Sequence, residues 1–348
     1  MAFETRALEG SVLEGRYLVG QPSREGETWT EHRALDTRTN TEVDIRVVRA
    51  GLGPESRAAS ALGLEAVVAS EVRHPNVLAP RDVGILDDTT PYLVLARHDA
   101  ETLEDRVCLS GSLAVSDVIR MGLELCSVLA AAHDRGIVHG DLRPEHVMLV
   151  ERDGVLLSTL VSGWGSTRDV RAGAFVFSNA AYVAPELLEG AGPSPASDVY
   201  ALGAILHLAA TGFPPYTAPS RTELSRMVKE GALRSPSAFR PELPPRLARA
   251  MEQSLSADPS RRFADVRELL AALEAVRASA VVAPSAKPRP AMGDAFNREV
   301  TEVERVQRAH RVLELVIDSE ALPSSCGPWA KSDVVPSLRS IDAARVIC

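Results

Sequence analysis

Positive charge is in short supply in this chain. Its 348 residues include 38 Lys and Arg against 47 Asp and Glu, a formal net charge of −9. A phosphate backbone rewards a basic face, so this balance argues against a nucleic-acid binder. Cysteine is scarce too: Cys108, Cys126, Cys326 and Cys348 are the four present. No two stand at metal-ligand spacing and a chain of this length needs no disulfide staples, which points to free thiols in a reducing compartment. The opening MAFETRALEG places charges where a signal peptide would carry its apolar core, so nothing points to export. The longest stretch without formal charge, Val199 to Ser220, is cut by Pro214, Pro215 and Pro219 and reads as a buried core helix ending at Gly212. No internal repeat is visible. A cytoplasmic protein without membrane insertion is expected.

What is present is ordinary for a globular protein, 45% hydrophobic and 24% charged. The first hundred residues read as short strands with one helix. Tyr92 to Leu95 is an apolar run of strand type, and Gly51 to Val72 suits a helix weakened by Gly63. From about Ser116 the chain turns helical. Ser116 is a candidate cap for a helix in which Ile119, Leu123, Cys126 and Ala130 recur. Ser197 is a candidate cap for a second, Asp198 to Ala210, apolar almost all round. A third starts after Ser260, with Phe263, Val266, Leu270, Leu273 and Val276 as its stripe. A small strand-rich half followed by a larger helical half is an α+β pattern. Residues 278–293 are rich in Ala and Pro and read as a linker. An amphipathic helix over 294–317 and an irregular tail over 318–348 follow.

Five strings carry a family resemblance. HGDLRPEHVML, His139 to Leu149, resembles the catalytic loop of protein kinases, usually written HRDLKPEN. AYVAPE at 181–186 is similar to the family's APE element, SDVYALGAIL from Ser197 to the helix beneath the catalytic loop, and DPSRRF from Asp258 to the closing DPxxR element. Upstream, RHPNVL from Arg73 follows a helix bearing Glu65 at the spacing of the family's αC glutamate. Together these cover residues 14–277 and resemble the eukaryotic-like bacterial serine/threonine protein kinases. The resemblance implies a two-lobed fold, a β-rich N-lobe over 14–96 with one helix and a larger helical C-lobe over 97–277. It also implies a structural Glu186–Arg262 ion pair and an Asp198 that accepts hydrogen bonds from the catalytic loop.

The same resemblance implies an ATP site at Gly26, Arg46, Glu65 and Leu95, a catalytic base at Asp141, and metal ligands at positions 146 and 163. Several of these positions depart from the family pattern. The three glycines of the phosphate loop fall on Arg24, Gly26 and Trp29, and only glycine lets backbone N–H groups close on phosphate. The β3 lysine falls on Arg46, planar and not equivalent to a point charge, but able to pair with Glu65. Two apolar positions over the adenine ring fall on Glu31 and Asp44, whose burial costs several kcal/mol, roughly, per ion unless they are paired. Arg46 or Arg24 could bridge them, or the pocket could be collapsed. The metal-binding asparagine and aspartate fall on His146 and Gly163; a neutral imidazole suits Mg²⁺ poorly and glycine offers no ligand. Trp164 takes the place of the DFG phenylalanine, and Gly140 that of the arginine that reads activation-loop phosphorylation.

The expectation is a pseudokinase, a signalling or scaffold module for protein partners that needs no cofactor and performs little or no phosphotransfer. The alternatives are a divergent active serine/threonine kinase using ATP and Mg²⁺ with Asp141 as base, or a module that binds ATP without transferring phosphate.

Overall fold

The computed structural model describes residues 8–282, apart from 27, 50, 53–55, 87–89, 153–154, 165–179 and 219. Most of the expected linker, the 294–317 helix and the 318–348 tail lie outside the described residues, as do Cys326, Cys348, Asp153, Gly165 and Asp169.

The N-terminal half forms one six-stranded antiparallel sheet. Its strands are β1 (Val12–Leu13), β2 (Tyr17–Glu25), β3 (Trp29–Asp36), β4 (Thr41–Val48), β5 (Pro80–Leu86) and β6 (Thr90–Ala96). They lie in the order β1-β2-β3-β4-β6-β5. Between β3 and β4 a tight turn ends at Asn40, whose φ of 53° is the left-handed conformation that asparagine tolerates. That turn pairs Asp36 with Thr41 and so brings Glu31 opposite Arg46 and Arg33 opposite Asp44. At the same end of the sheet, the guanidinium of Arg16, the residue before β2, pairs with both Asp36 and Asp82, tying β3 to β5.

One helix, α1 (Arg57–Glu71), crosses this sheet. It starts later than Gly51 because Ser56 is the cap, its side chain accepting from the Ala59 N–H. Ala58, Ala59, Leu62 and Ala66 pack on Val48, Leu93 and Leu95. Gly63 faces open space, so its cost to the helix is not offset by close packing.

The C-terminal half opens with β7 (Ala100–Thr102) and the helices α2 (Leu103–Ser110) and α3 (Val115–His133). The hairpin β8 (Val147–Arg152) and β9 (Val155–Val161) completes a three-stranded sheet with β7. Helices α4 (Pro185–Leu188), α5 (Pro195–Thr211), α6 (Arg221–Glu230), α7 (Pro236–Phe239), α8 (Pro245–Ser254) and α9 (Val266–Val282) follow. Every residue of α5 from Ser197 onward is buried, as an all-round apolar helix must be, and Gly212 ends it in the left-handed conformation. No helix among the described residues is long and apolar enough to cross a membrane.

Three further helix starts differ from the sequence reading. The α5 cap is Ser194, not Ser197: the two serines form a reciprocal capping box, and Pro195 between them is the first helical residue. For α3 the cap position is Ala114, without a side-chain bond, and Leu123 and Ala130 are only half-buried while Leu125 and Leu129 face the core. Residues 259–261 form a separate short turn, so α9 starts at Val266; it buries Leu269 rather than Leu270, and it continues through 278–282, where a linker was expected.

Candidate nucleotide cleft

Below α5's N-terminus, Asp198 fixes the loop that carries His139 and Asp141. Its carboxylate accepts from the backbone N–H of His139 (2.9 Å) and of Gly140 (2.8 Å), and lies 2.8 Å from His133 Nε2. A fully buried carboxylate needs such partners, and here it has three. Further down the C-lobe, Arg262 forks onto Glu186 with two bonds of 2.7 Å each. Both arrangements follow the sequence reading.

Around the cleft, a row of charge runs across the N-lobe sheet. Arg24, Glu31 and Arg46 are in register on β2, β3 and β4. Arg46 donates to Glu31 at 3.0 Å and to Glu65 of α1 at 3.2 Å, so one buried guanidinium serves two buried carboxylates. The Arg46–Glu65 pair was legible in the sequence; the Glu31 contact settles how that carboxylate is tolerated. Asp44 takes a different partner, Arg97 at 3.4 Å, and burial followed by the nearby Glu31 raises its pKa. Arg97 was missed by the sequence reading.

The phosphate-loop positions close on the cleft rather than opening it. Gly26 is the turn residue between β2 and β3, its N–H donating to the Trp29 carbonyl. The Trp29 indole folds so closely over Gly26 that a Cβ there would collide with it. The same ring also stacks on the Arg46 guanidinium, 4.4 Å from the ring centroid. Arg24 reaches the opposite lobe, where Nη2 donates to the Ala100 carbonyl at 2.6 Å.

At the two metal-ligand positions the chain meets itself. His146 Nδ1 lies 2.8 Å from the Asp141 carbonyl, an acceptor only, so Nδ1 carries the proton. Burial, then Arg143 and His139, hold the imidazole pKa well below its usual value, and the ring is neutral at pH 7. Gly163 has φ of 76°, and its N–H donates to Glu65 at 2.8 Å. Next to it Trp164 is fully buried against His139, ring centroids 4.7 Å apart, with its Nε1–H on the Val161 carbonyl. Asp141 lines the cleft, with Arg143 Nε 3.6 Å from its carboxylate. Among the described residues, no group of three or more His, Cys, Asp or Glu is placed to hold a metal ion.

Two cavities result. The outer one, about 250 Å³, is bounded by Arg24, Trp29, Arg46, Asp141, His146 and Gly163, with Glu25, Glu104, Asp105 and Glu145 at its wall. The inner one lies where Glu31, Asp44, Leu95, Ala96 and Met148 converge and retains only about 10 Å³. That is the space of roughly one water molecule. Gly26 and Leu95, expected in one site, therefore border different cavities.

The family model of the protein kinase domain matches residues 25–273. The serine/threonine-protein kinase PknL of Mycobacterium tuberculosis is 27% identical over 274 residues, which cover 77% of this chain and 67% of PknL. PknB of the same species is 29% identical over 272 residues, 76% of this chain and 43% of PknB. The chain thus spans less than half the length of that relative. Among solved structures, the M. tuberculosis PknI kinase domain aligns with a TM-score of 0.59 at 23% identity, over 77% of this chain and 97% of that domain. Rad53 1–466 in complex with AMP-PNP aligns with a TM-score of 0.60 at 19% identity, over 73% of this chain and 64% of that one. Likeness at such identity speaks of fold alone.

Proposed function

The chain belongs to the protein kinase domain family, and within it we propose that it works as a pseudokinase: a regulatory or scaffolding module that engages protein partners in signalling and transfers little or no phosphate. One observation carries this reading, the His146 imidazole standing against Gly163 at the two positions where the family holds Mg²⁺. Phosphoryl transfer depends on metal ions that bridge and neutralise the phosphates. A glycine has no side-chain oxygen to offer, and a neutral imidazole whose Nδ1 proton is already donated to a carbonyl is a poor partner for so hard a cation.

The rest of the cleft supports the same conclusion. A ring the size of adenine does not fit a space of about 10 Å³ closed by Arg24 and lined by the Glu31 and Asp44 carboxylates. Six carboxylates against three arginines along the outer cavity disfavour a polyphosphate, the more so because Arg46 is already shared between Glu31 and Glu65. The residues present do not fit Mg·ATP, and no catalytic step is assigned to it. Asp141 keeps the place of the family's base, where its role is to hold Arg143 and the loop.

Purified protein incubated with labelled ATP and Mg²⁺ or Mn²⁺, on itself and on generic protein substrates, tests the reading. No incorporation above background, and no rise in melting temperature with saturating ATP, is expected. Incorporation abolished by Asp141→Ala would instead establish an active kinase; a metal-dependent melting shift without incorporation would establish a nucleotide-binding module.

A further inference from the structure

Arg24 joins the two lobes through the middle of the cleft. It sits near the end of β2 in the N-lobe, yet its guanidinium makes hydrogen bonds to residues beyond Ala96, while the Asp44 carboxylate of the N-lobe feels its charge. Nη2 donates to the Ala100 carbonyl at 2.6 Å and Nη1 lies 3.9 Å from Met148 Sδ. Ala100 and Met148 belong to β7 and β8, neighbours in the C-lobe sheet. The side chain thus runs from the roof of the cleft to its floor and passes over the small inner cavity that it shares with Leu95 and Ala96.

We propose that Arg24 is a built-in latch, a tethered ligand that fills the slot between the lobes and holds them closed with no nucleotide present. The register of the sheet favours this. Glu31, directly opposite Arg24, is itself engaged by Arg46, so the Arg24 guanidinium is left to reach outward to the other lobe. A charged donor on a backbone carbonyl is among the stronger hydrogen bonds, and a tether of a few bonds keeps it at high effective concentration. Loss of any one free ligand would not open such a cleft; only a movement of β2 against β7 does so.

The latch rests on the reading of a cleft that takes no nucleotide, and the two fail separately, since labelled ATP decides that reading and amide exchange decides the latch. The experiment is hydrogen–deuterium exchange on the full chain, comparing wild type with Arg24→Ala and Arg24→Met, the latter keeping an apolar stem but no donors. Exchange is expected to rise about tenfold in both variants, in peptides covering 17–31 and 97–103 alike, the change that loss of one charge-assisted bond between the lobes produces. Arg33→Ala, on the same sheet but exposed, leaves both peptides unchanged. Unchanged exchange over 97–103 in Arg24→Met overturns the latch, as does a rise confined to 17–31. A variant pair that loses its far-UV circular dichroism overturns it too, because a latch is dispensable for the lobes' own folding.

Discussion

The His146 ring occupies the side-chain space of Gly163: a Cβ built on that glycine would stand 2.5 Å from His146 Nδ1. The two positions are coupled, since glycine at 163 is what admits the imidazole, and φ of 76° is what glycine alone adopts without strain.

Gly163→Asp, which would restore the family's residue, is therefore expected to destabilise the fold. Left-handed backbone costs about 1–3 kcal/mol for such a residue, and the collision with His146 adds to it. His146→Asn, which removes the larger ring, should relieve the collision, so the double variant is more stable than the sum of the singles predicts. Urea denaturation of the four proteins measures this; strict additivity would mean the two side chains do not share space.

How much of this was legible in the sequence depends on how local each feature is. The catalytic-loop string, Asp198, the Glu186–Arg262 fork and the Arg46–Glu65 pair were readable, because each rests on a short motif or on a spacing the resemblance supplies. The Glu31–Arg46 contact was within reach: counting outward from the tight turn that pairs Asp36 with Thr41 brings those residues face to face. The reach of Arg24 to the Ala100 carbonyl was not: Arg24 was expected only as a candidate bridge to Glu31 and Asp44, and β2 shifts register twice between Val19 and Arg24, so no count from the turn fixes its partner. The folding of Trp29 over Gly26 depends on a rotamer, on which a sequence is silent. The helix starts were misplaced by one turn where two serines three apart competed as cap, and Pro195 was the neglected signal.

Arg46 is the cation on which the cleft's roof depends. Arg46→Ala leaves Glu31 and Glu65 buried without it, a change expected to cost about 3–5 kcal/mol. Glu65 keeps the Gly163 N–H, so Glu31 suffers more. Adding Glu31→Gln to Arg46→Ala should recover part of the loss, since the lone carboxylate is then gone. Arg46→Lys, the family's residue, should fall between wild type and alanine because one ammonium cannot fork to two carboxylates as the guanidinium does. Chemical denaturation gives the order; a lysine variant as stable as wild type would show that the fork contributes nothing.

Glu104, at the start of α2 and on the wall of the outer cavity, makes stability depend on pH. Burial first, then the carboxylates of Glu145 and Asp105, push its pKa from an ordinary 4.5 up to about 7. The folded protein therefore holds a proton that the unfolded chain releases above pH 4.5. Stability from this group is fully present below 4.5, declines as pH rises, and is gone above about 7, a loss of at most about 3 kcal/mol. Glu104→Gln keeps the shape without the charge and should flatten that decline. Other groups titrate in the same window, so the readout is a difference of differences: urea midpoints at pH 5 and pH 8, wild type against variant. Wild type should lose more between the two pH values than Glu104→Gln does. An equal loss in both proteins would mean that this carboxyl is not held out of water.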